Sequence, residues 1–271
     1  TSAAKLSAVK SGDADYFAAG QTFVLRVGDG MTPNATGAYT WVPFTTAAGT
    51  ALSGALTITD SNGVTSVDAR NTTNLAPFKG TDYMRPEDMV IQRAKGREYL
   101  YVTTTTTHET YRLDLQKNII SVFANRNTID LATGLPVGPA LSNPDNLAVD
   151  HDGNVYIIER DAHRIVKVTP KMDRFLMQLG TTMEKGNGPN HLDLPSGIAV
   201  LKSGNIVVTD GYGNNRVILY DKNGKFLKQV GKGAGGPADK GTGPGEWVLP
   251  HKLAVDAQEN LYIIDRENKR L

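Results

Sequence analysis

Pro195-Ser196-Gly197-Ile198-Ala199-Val200, followed by Gly204-Asn205-Ile206-Val207-Val208-Thr209-Asp210, is the stretch that decides the fold. Two short apolar runs rich in β-branched residues, divided by a turn carrying Gly, read as adjacent strands. The pattern recurs. Pro144-Asp145-Asn146-Leu147-Ala148-Val149-Asp150 leads to Gly153-Asn154-Val155-Tyr156-Ile157-Ile158-Glu159, and Pro250-His251-Lys252-Leu253-Ala254-Val255-Asp256 leads to Asn260-Leu261-Tyr262-Ile263-Ile264-Asp265. In each copy an Asn lies 10 residues after the Pro and an acidic residue 15 after it. A weaker fourth copy opens at Arg85-Pro86-Glu87-Asp88-Met89-Val90-Ile91 and reaches Leu100-Tyr101-Val102. The prolines at 86, 144, 195 and 250 are 58, 51 and 55 residues apart. Repeats of roughly 40–50 residues, each carrying several short strands, are the mark of propeller blades.

Each unit reads as four strands. In the copy that starts at Pro195 these are Ile198–Val200, Asn205–Thr209, Val217–Tyr220 and Phe226–Val230. Asp221-Lys222-Asn223-Gly224 between the last two is a hairpin turn, with Gly supplying positive φ. No long segment shows helical apolar spacing without a Gly or Pro interrupting it, and the Thr103–Thr107 run favours a strand. Such a sheet cannot bury both faces alone, so neighbouring sheets must stack around an axis. The expected fold is all-β, a β-propeller of four-stranded blades, five or six in number. Residues 1–271 read as one propeller domain. Within it, residues 1–84 hold one or two irregular blades, with strands at Thr22–Val27 and Ala55–Ile58. Residues 85–271 hold four recognisable repeats, the last incomplete. Either the N-terminal segment supplies the missing outer strands, or the chain is cut.

Composition narrows the function. Lys plus Arg is 29 and Asp plus Glu 28, a formal charge of +1, so the basic excess of a nucleic-acid binder is missing. No apolar run approaches the roughly 20 residues of a membrane helix. With 0 cysteines, disulfides, thiolate nucleophiles and zinc–thiolate sites are excluded. Thr1-Ser2-Ala3-Ala4 lacks the charged and apolar regions of a signal peptide and reads as a mature start. Asn34-Ala35-Thr36 and Asn71-Thr72-Thr73 fit glycosylation sequons. The Gly-rich stretch from Gly231 to Gly245 lacks the Gly-Lys-Ser/Thr ending of a phosphate cradle and reads as a connection between blades.

Two resemblances meet in this chain. Residues about 31–160 resemble the PhoX-type alkaline phosphatase family through Phe78-Lys79-Gly80-Thr81-Asp82-Tyr83-Met84-Arg85-Pro86-Glu87-Asp88-Met89, Gly96-Arg97-Glu98-Tyr99-Leu100-Tyr101-Val102, Asn143-Pro144-Asp145-Asn146-Leu147 and Gly153–Glu159. Residues about 185–271 look like NHL-repeat propellers, particularly the peptidyl-hydroxyglycine amidating lyases. That match lies in Asp210-Gly211-Tyr212-Gly213-Asn214-Asn215-Arg216, Leu249-Pro250-His251 and Asp265-Arg266-Glu267-Asn268. A chain joining both is a hybrid.

The PhoX-type resemblance implies an exported, calcium-dependent propeller whose axial carboxylates hold metal that clamps phosphate, since hard cations take oxygen ligands. Glu87, Asp145 and Glu159 stand at the matching positions. The family's cysteine ligand to iron is missing here, and Arg160 stands where the family has Asp. The resemblance therefore admits calcium and disfavours an iron pair. The lyase resemblance implies zinc on three histidines, one from each of three blades. His251 matches one, Asp145 occupies the place of another, and the third would fall beyond Leu271, so zinc is disfavoured too. Tyr212 matches that family's catalytic tyrosine, and Arg266 an arginine that contacts substrate.

The remaining histidines, His108, His151, His163 and His191, share no metal-ligand spacing and read as exposed loop residues. Glu159, Asp210 and Asp265 have a packing role open to them as well, accepting bonds from loop amides or pairing with Arg164, Arg216 and Arg270 of the same copies. The expected function is a secreted or periplasmic binding or assembly module that admits calcium and presents its loops to a protein or polymer partner. The alternative is a calcium-dependent phosphoric-ester hydrolase of PhoX type on Glu87, Asp145 and Glu159. A second alternative is an amidating-lyase-like zinc enzyme.

Overall fold

The computed structural model describes residues 20–94, 96–130, 133–138, 141–231 and 241–271. Most of the Gly-rich connection, residues 232–240, therefore lies outside the described residues. The chain divides into two compact units, Thr1–Tyr83 with Lys117–Ile120, and Met84–Gln116 with Ser121–Leu271.

In the first unit, β1 (Phe23–Val27) and β2 (Gly37–Pro43) form a hairpin with Phe23 opposite Pro43 and Val27 opposite Tyr39. Gly37 and Ala38 pair in turn with Ile120 and Ile119. A second hairpin, β3 (Thr57–Thr59) and β4 (Thr65–Val67), turns about Asp60, whose Oδ1 accepts the amides of Asn62 and Val64 at 2.8 and 2.9 Å. One helical turn, Ala69–Thr72, is capped by the Asp68 carboxylate. Arg26 donates to the carbonyls of Lys79 and Pro77, and Thr81 Oγ1 accepts the Val27 amide at 2.8 Å.

The second unit is built from blades. In the first, β5 (Pro86–Ala94), β6 (Arg97–Thr104), β7 (Glu109–Asp114) and β8 (Ile119–Ala124) lie in that order; the first two residues of β8 belong to the other unit. A small hairpin follows, β9 (Ile129–Asp130) and β10 (Leu135–Pro136). The second blade runs β11 (Pro144–Val149), β12 (Val155–Glu159), β13 (Arg164–Val168) and β14 (Phe175–Leu179). The third runs β15 (Gly197–Val200), β16 (Ile206–Asp210), β17 (Arg216–Tyr220) and β18 (Phe226–Gly231). Two strands of a fourth follow, β19 (Pro250–Val255) and β20 (Leu261–Asp265). The pairings between these described strands are antiparallel, and the third blade's strands fall within a residue of the expected ones.

Burial on both faces explains why the second strand of a blade is an unbroken apolar run. Along β12, Val155 and Ile157 enter one core with Tyr101, Phe123, Leu147 and Val166, whereas Tyr156 and Ile158 enter another with Ile198, Ile206, Val208 and Ile218. Neighbouring blades thus share a core through alternate residues of one strand.

Polar repeats hold the blade ends. At one end Asp150, Asp221 and Asp256 each accept two amides of the following turn through Oδ1. At the other end the acidic residue 15 after each Pro pairs with an arginine: Glu159 with Arg164, Asp210 with Arg216 at 2.9 Å, and Asp265 with Arg270 at 2.8 Å. Asp210 also accepts the Asp193 amide, and Asp265 the Val248 amide. The packing role open to these acids is the one they fill. In the first blade Thr104 and Glu109 sit opposite one another where the others carry an acid and an arginine, which is why that copy is the weaker one in sequence.

Candidate functional site

The chain entering each blade adopts the same unusual backbone. Arg85, Asn143, Leu194 and Leu249, each directly before the blade's Pro, have φ of 53°, 49°, 54° and 62°. Left-handed backbone costs a non-glycine residue about 1–2 kcal/mol and recurs at functional sites. Here it turns four carbonyls toward the amides of Thr105, Arg160, Tyr212 and Arg266, at 3.2, 3.3, 3.4 and 3.1 Å. The loop after the second strand of every blade is thereby tied to the start of the first. The amides of these residues are held as well. His108 Nδ1 accepts that of Asn143 at 3.0 Å, His163 Nδ1 that of Leu194 at 3.2 Å, and Asn215 Oδ1 that of Leu249 at 2.9 Å.

Just past the Pro, the ladder slips. Between Pro86 and Asp88, Pro144 and Asn146, and Pro250 and Leu253 the register shifts, which leaves Glu87, Asp145 and His251 in bulges. A bulge takes a side chain out of strand alternation and re-aims it. The strands carrying these bulges lie side by side in the order β5, β11, β15, β19. Lys252 of β19 reaches back to β5, donating to Asp88 Oδ1 at 3.0 Å and the Glu87 carbonyl at 3.1 Å. Side chains from four blades therefore surround one axial mouth.

Tyr212 sits at its centre. Its hydroxyl is 2.7 Å from His251 Nε2, with the rings edge-on at 80°. Gly211 permits this approach, since a Cβ there would lie 2.1 Å from the Pro250 carbonyl oxygen. Burial pushes the Tyr212 phenol above its ordinary value, with the Asp145 charge adding to it. Burial, with Arg266 and Lys252, holds the His251 imidazole below its own. Both groups are thus neutral at neutral pH and share one hydrogen bond between the phenol and Nε2. Arg160 and Arg266 face the Tyr212 ring at 5.5 and 5.7 Å from its centroid. Each guanidinium spends its Nε on the carboxylate next in sequence, Asp161 and Glu267, both at 2.8 Å. Their terminal nitrogens make no hydrogen bond to another described residue.

Asp145 is 3% exposed, and its Oδ2 has no hydrogen-bond partner among the described residues. Burial pushes its carboxyl up to about 6, the Glu87 and Asp88 charges adding to the rise and Arg160 and Lys252 opposing it. Glu87 is engaged with Arg85 at 2.7 Å and with the Thr105 hydroxyl at 3.4 Å.

Of the six residues singled out by sequence, the fold brings Glu87, Asp145, Tyr212, His251 and Arg266 to this mouth. Glu159 is fully buried and gives one oxygen to Arg164 Nε. Among the described residues no three His, Asp or Glu side chains are grouped to hold a metal ion, and His251 Nε2 is engaged by Tyr212. As placed, the donor set fits neither calcium nor zinc. His108 and His163 correct an expectation: they are interblade acceptors rather than idle loop residues. Arg160, which entered only as a departure from a family pattern, stands beside Tyr212. Its signal was its place, since Arg160 and Arg266 both lie 16 residues after a blade Pro.

Residues 150–271 match the six-bladed β-propeller family described as DUF5128. The probable peptidyl-α-hydroxyglycine α-amidating lyase of Caenorhabditis elegans is 31% identical over 170 residues, 60% of this chain and 46% of that protein. The peptidyl-glycine α-amidating monooxygenase of Mus musculus is 36% identical over 131 residues, 47% of this chain and 13% of that protein. The NHL repeat-containing protein 3 of Mus musculus is 33% identical over 110 residues, 39% of this chain and 30% of that protein. The chain thus spans less than half the length of each relative. No helix among the described residues is long and apolar enough to cross a membrane. The protein is an all-β chain of propeller blades, related in sequence to the amidating enzymes and to NHL-repeat proteins.

Proposed function

We propose that this propeller is a binding module whose axial mouth takes a small ligand, or the end of a protein or polymer chain, through a carboxylate. The observation that carries this is the pair of guanidinium groups, Arg160 and Arg266, flanking Tyr212, each with only its Nε engaged among the described residues. Planar guanidinium edges suit a carboxylate, and charge-assisted bonds of this kind are the strong ones. A thermal-shift series of short carboxylates against their amides tests it, because a ligand that binds only the folded chain raises the melting point. The acids stabilise the wild type and lose the effect when both arginines become alanine. Equal shifts from acid and amide would count against the reading.

A second reading is favoured by the contact between Tyr212 and His251. An amidating-lyase-type cleavage needs the proton of a substrate hydroxyl to leave as the carbon–oxygen bond becomes a carbonyl. The carbon–nitrogen bond then breaks, and the nitrogen takes up a proton to become an amide. A neutral imidazole bonded to a phenol can accept and return that proton. The sequence relatives named for this reaction support the reading, and release of glyoxylate from a peptidyl-α-hydroxyglycine is its assay. The PhoX-type alternative loses a ligand with Glu159, leaving Glu87 and Asp145 alone, and a melt with and without chelator tests whether calcium binds there. Export belongs to this proposal too, supported by the exposed Asn71 of one sequon, with cell fractionation as its check.

A further inference from the structure

Resting on the carboxylate reading above, we infer that Asp145 is a specificity residue that recognises a cationic nitrogen, so that the ligand of the axial mouth carries both an ammonium and a carboxylate.

The argument starts from an account of Asp145's surroundings. A buried carboxylate oxygen without a donor is costly, and in a native fold such a group calls for an explanation. Lys252 gives its ammonium to Asp88 and the Glu87 carbonyl. Arg160 gives its Nε to Asp161, and its charge lies near Asp145 without a hydrogen bond to Oδ2 among the described residues. Glu87, the acid at the equivalent place in the first blade, is tied to Arg85 and Thr105, so it does not share a proton with Asp145. Among the described residues a metal ion finds no third His, Asp or Glu ligand here. A positively charged donor brought by the ligand would supply the missing partner of Oδ2.

The position of Asp145 supports this. The bulge between Pro144 and Asn146 lifts it out of the β11–β12 ladder. The carbonyl of Asn143, two residues earlier, holds the amide of Arg160. One backbone turn therefore presents an acid and an arginine together, beside Tyr212. A ligand spanning them would meet opposite charges at its two ends, which fixes its orientation as well as its identity.

The test is isothermal titration of the wild type, Asp145→Asn and the Arg160→Ala, Arg266→Ala pair. The probes are a series of ω-amino carboxylates from glycine to 6-aminohexanoate and the matching unsubstituted alkanoates. In the wild type the best amino carboxylate binds about tenfold more tightly than its alkanoate, the gain expected of one hydrogen bond to a charged group. Asp145→Asn abolishes that advantage, while the arginine pair loses binding of both series. Equal binding of amino acid and alkanoate in the wild type overturns the inference and leaves the carboxylate site standing, a comparison that needs no variant to fold. Persistence of the advantage in a folded Asp145→Asn also overturns it. Binding of neither series overturns this inference and the carboxylate reading together.

Discussion

Replacing Arg216 by Met removes the cation of the most deeply buried pair in the protein while keeping much of the side chain's volume. Arg216 and Asp210 are both 0% exposed. The guanidinium donates to Asp210 at 2.9 Å, to Gln229 at 2.9 Å, to the His191 carbonyl at 2.7 Å and to the Asn187 carbonyl. It therefore stitches two strands of the third blade to the loop that precedes it. Its loss leaves Asp210 as an uncompensated buried charge, a defect that costs about 3–5 kcal/mol. For a chain of this size that lowers the melting point by roughly 5–9 °C. Asp210→Asn in the same background keeps an oxygen for the Asp193 amide and removes the orphaned charge, so it recovers about 1–2 kcal/mol. Arg270→Met, at the equivalent but part-exposed position, costs less, about 1–2 kcal/mol. Urea melts followed by circular dichroism measure all three. If Arg216→Met costs no more than Arg270→Met, or if Asp210→Asn deepens its loss, the pair is not the buried clamp described here.

Four further outcomes follow from the site and its supports. Asp145 has a carboxyl raised to about 6, so the folded chain binds its proton more tightly than the unfolded one. The stability this group contributes is full below the unfolded carboxylate range and is lost as pH rises through 6. Asp145→Asn should accordingly stabilise the chain at pH 8 by about 2–3 kcal/mol and change little at pH 4, read from melts at the two values. His108 is held below its ordinary value by burial first and Arg126 second. It contributes stability above the usual histidine range that is lost as pH falls through its lowered value. His108→Asn, which copies the acceptor that Asn215 provides one blade on, should keep stability at neutral pH and remove that acid sensitivity. Tyr212→Phe takes a donor from His251, so the imidazole should titrate higher than in the wild type when followed by NMR. Arg85→Gly relieves a left-handed φ of 53° at an exposed side chain and should gain up to about 1 kcal/mol in a denaturant melt.

The propeller was legible in the sequence because its determinants are local and repeated. The Pro that opens each blade, the Asp–Gly turns, the twice-buried strands and the closing acid recur at fixed offsets. Much of the site was legible for the same reason: Glu87, Asp145 and His251 each follow a blade Pro directly. Their convergence was visible as an offset, but the bulge that re-aims them was not, since it depends on pairing with the next strand. Glu159 was left between two readings because its strand-end place suits a metal as well as an ion pair, and the fold shows Arg164 turned toward it. His108 and His163 were missed because the amides they accept belong to Asn143 and Leu194, 35 and 31 residues away. No spacing rule reaches across blades in that way.

The central claim is that blade repeats assemble one axial mouth that recognises a carboxylate through Arg160 and Arg266. Isothermal titration of a short peptide with a free C-terminus, against the same peptide amidated at that end, tests it most directly. The account predicts that the free acid binds at least about tenfold more tightly than the amide, and that the difference vanishes when both arginines are alanine. Equal affinity for acid and amide, or a preference that survives loss of both arginines, would contradict it.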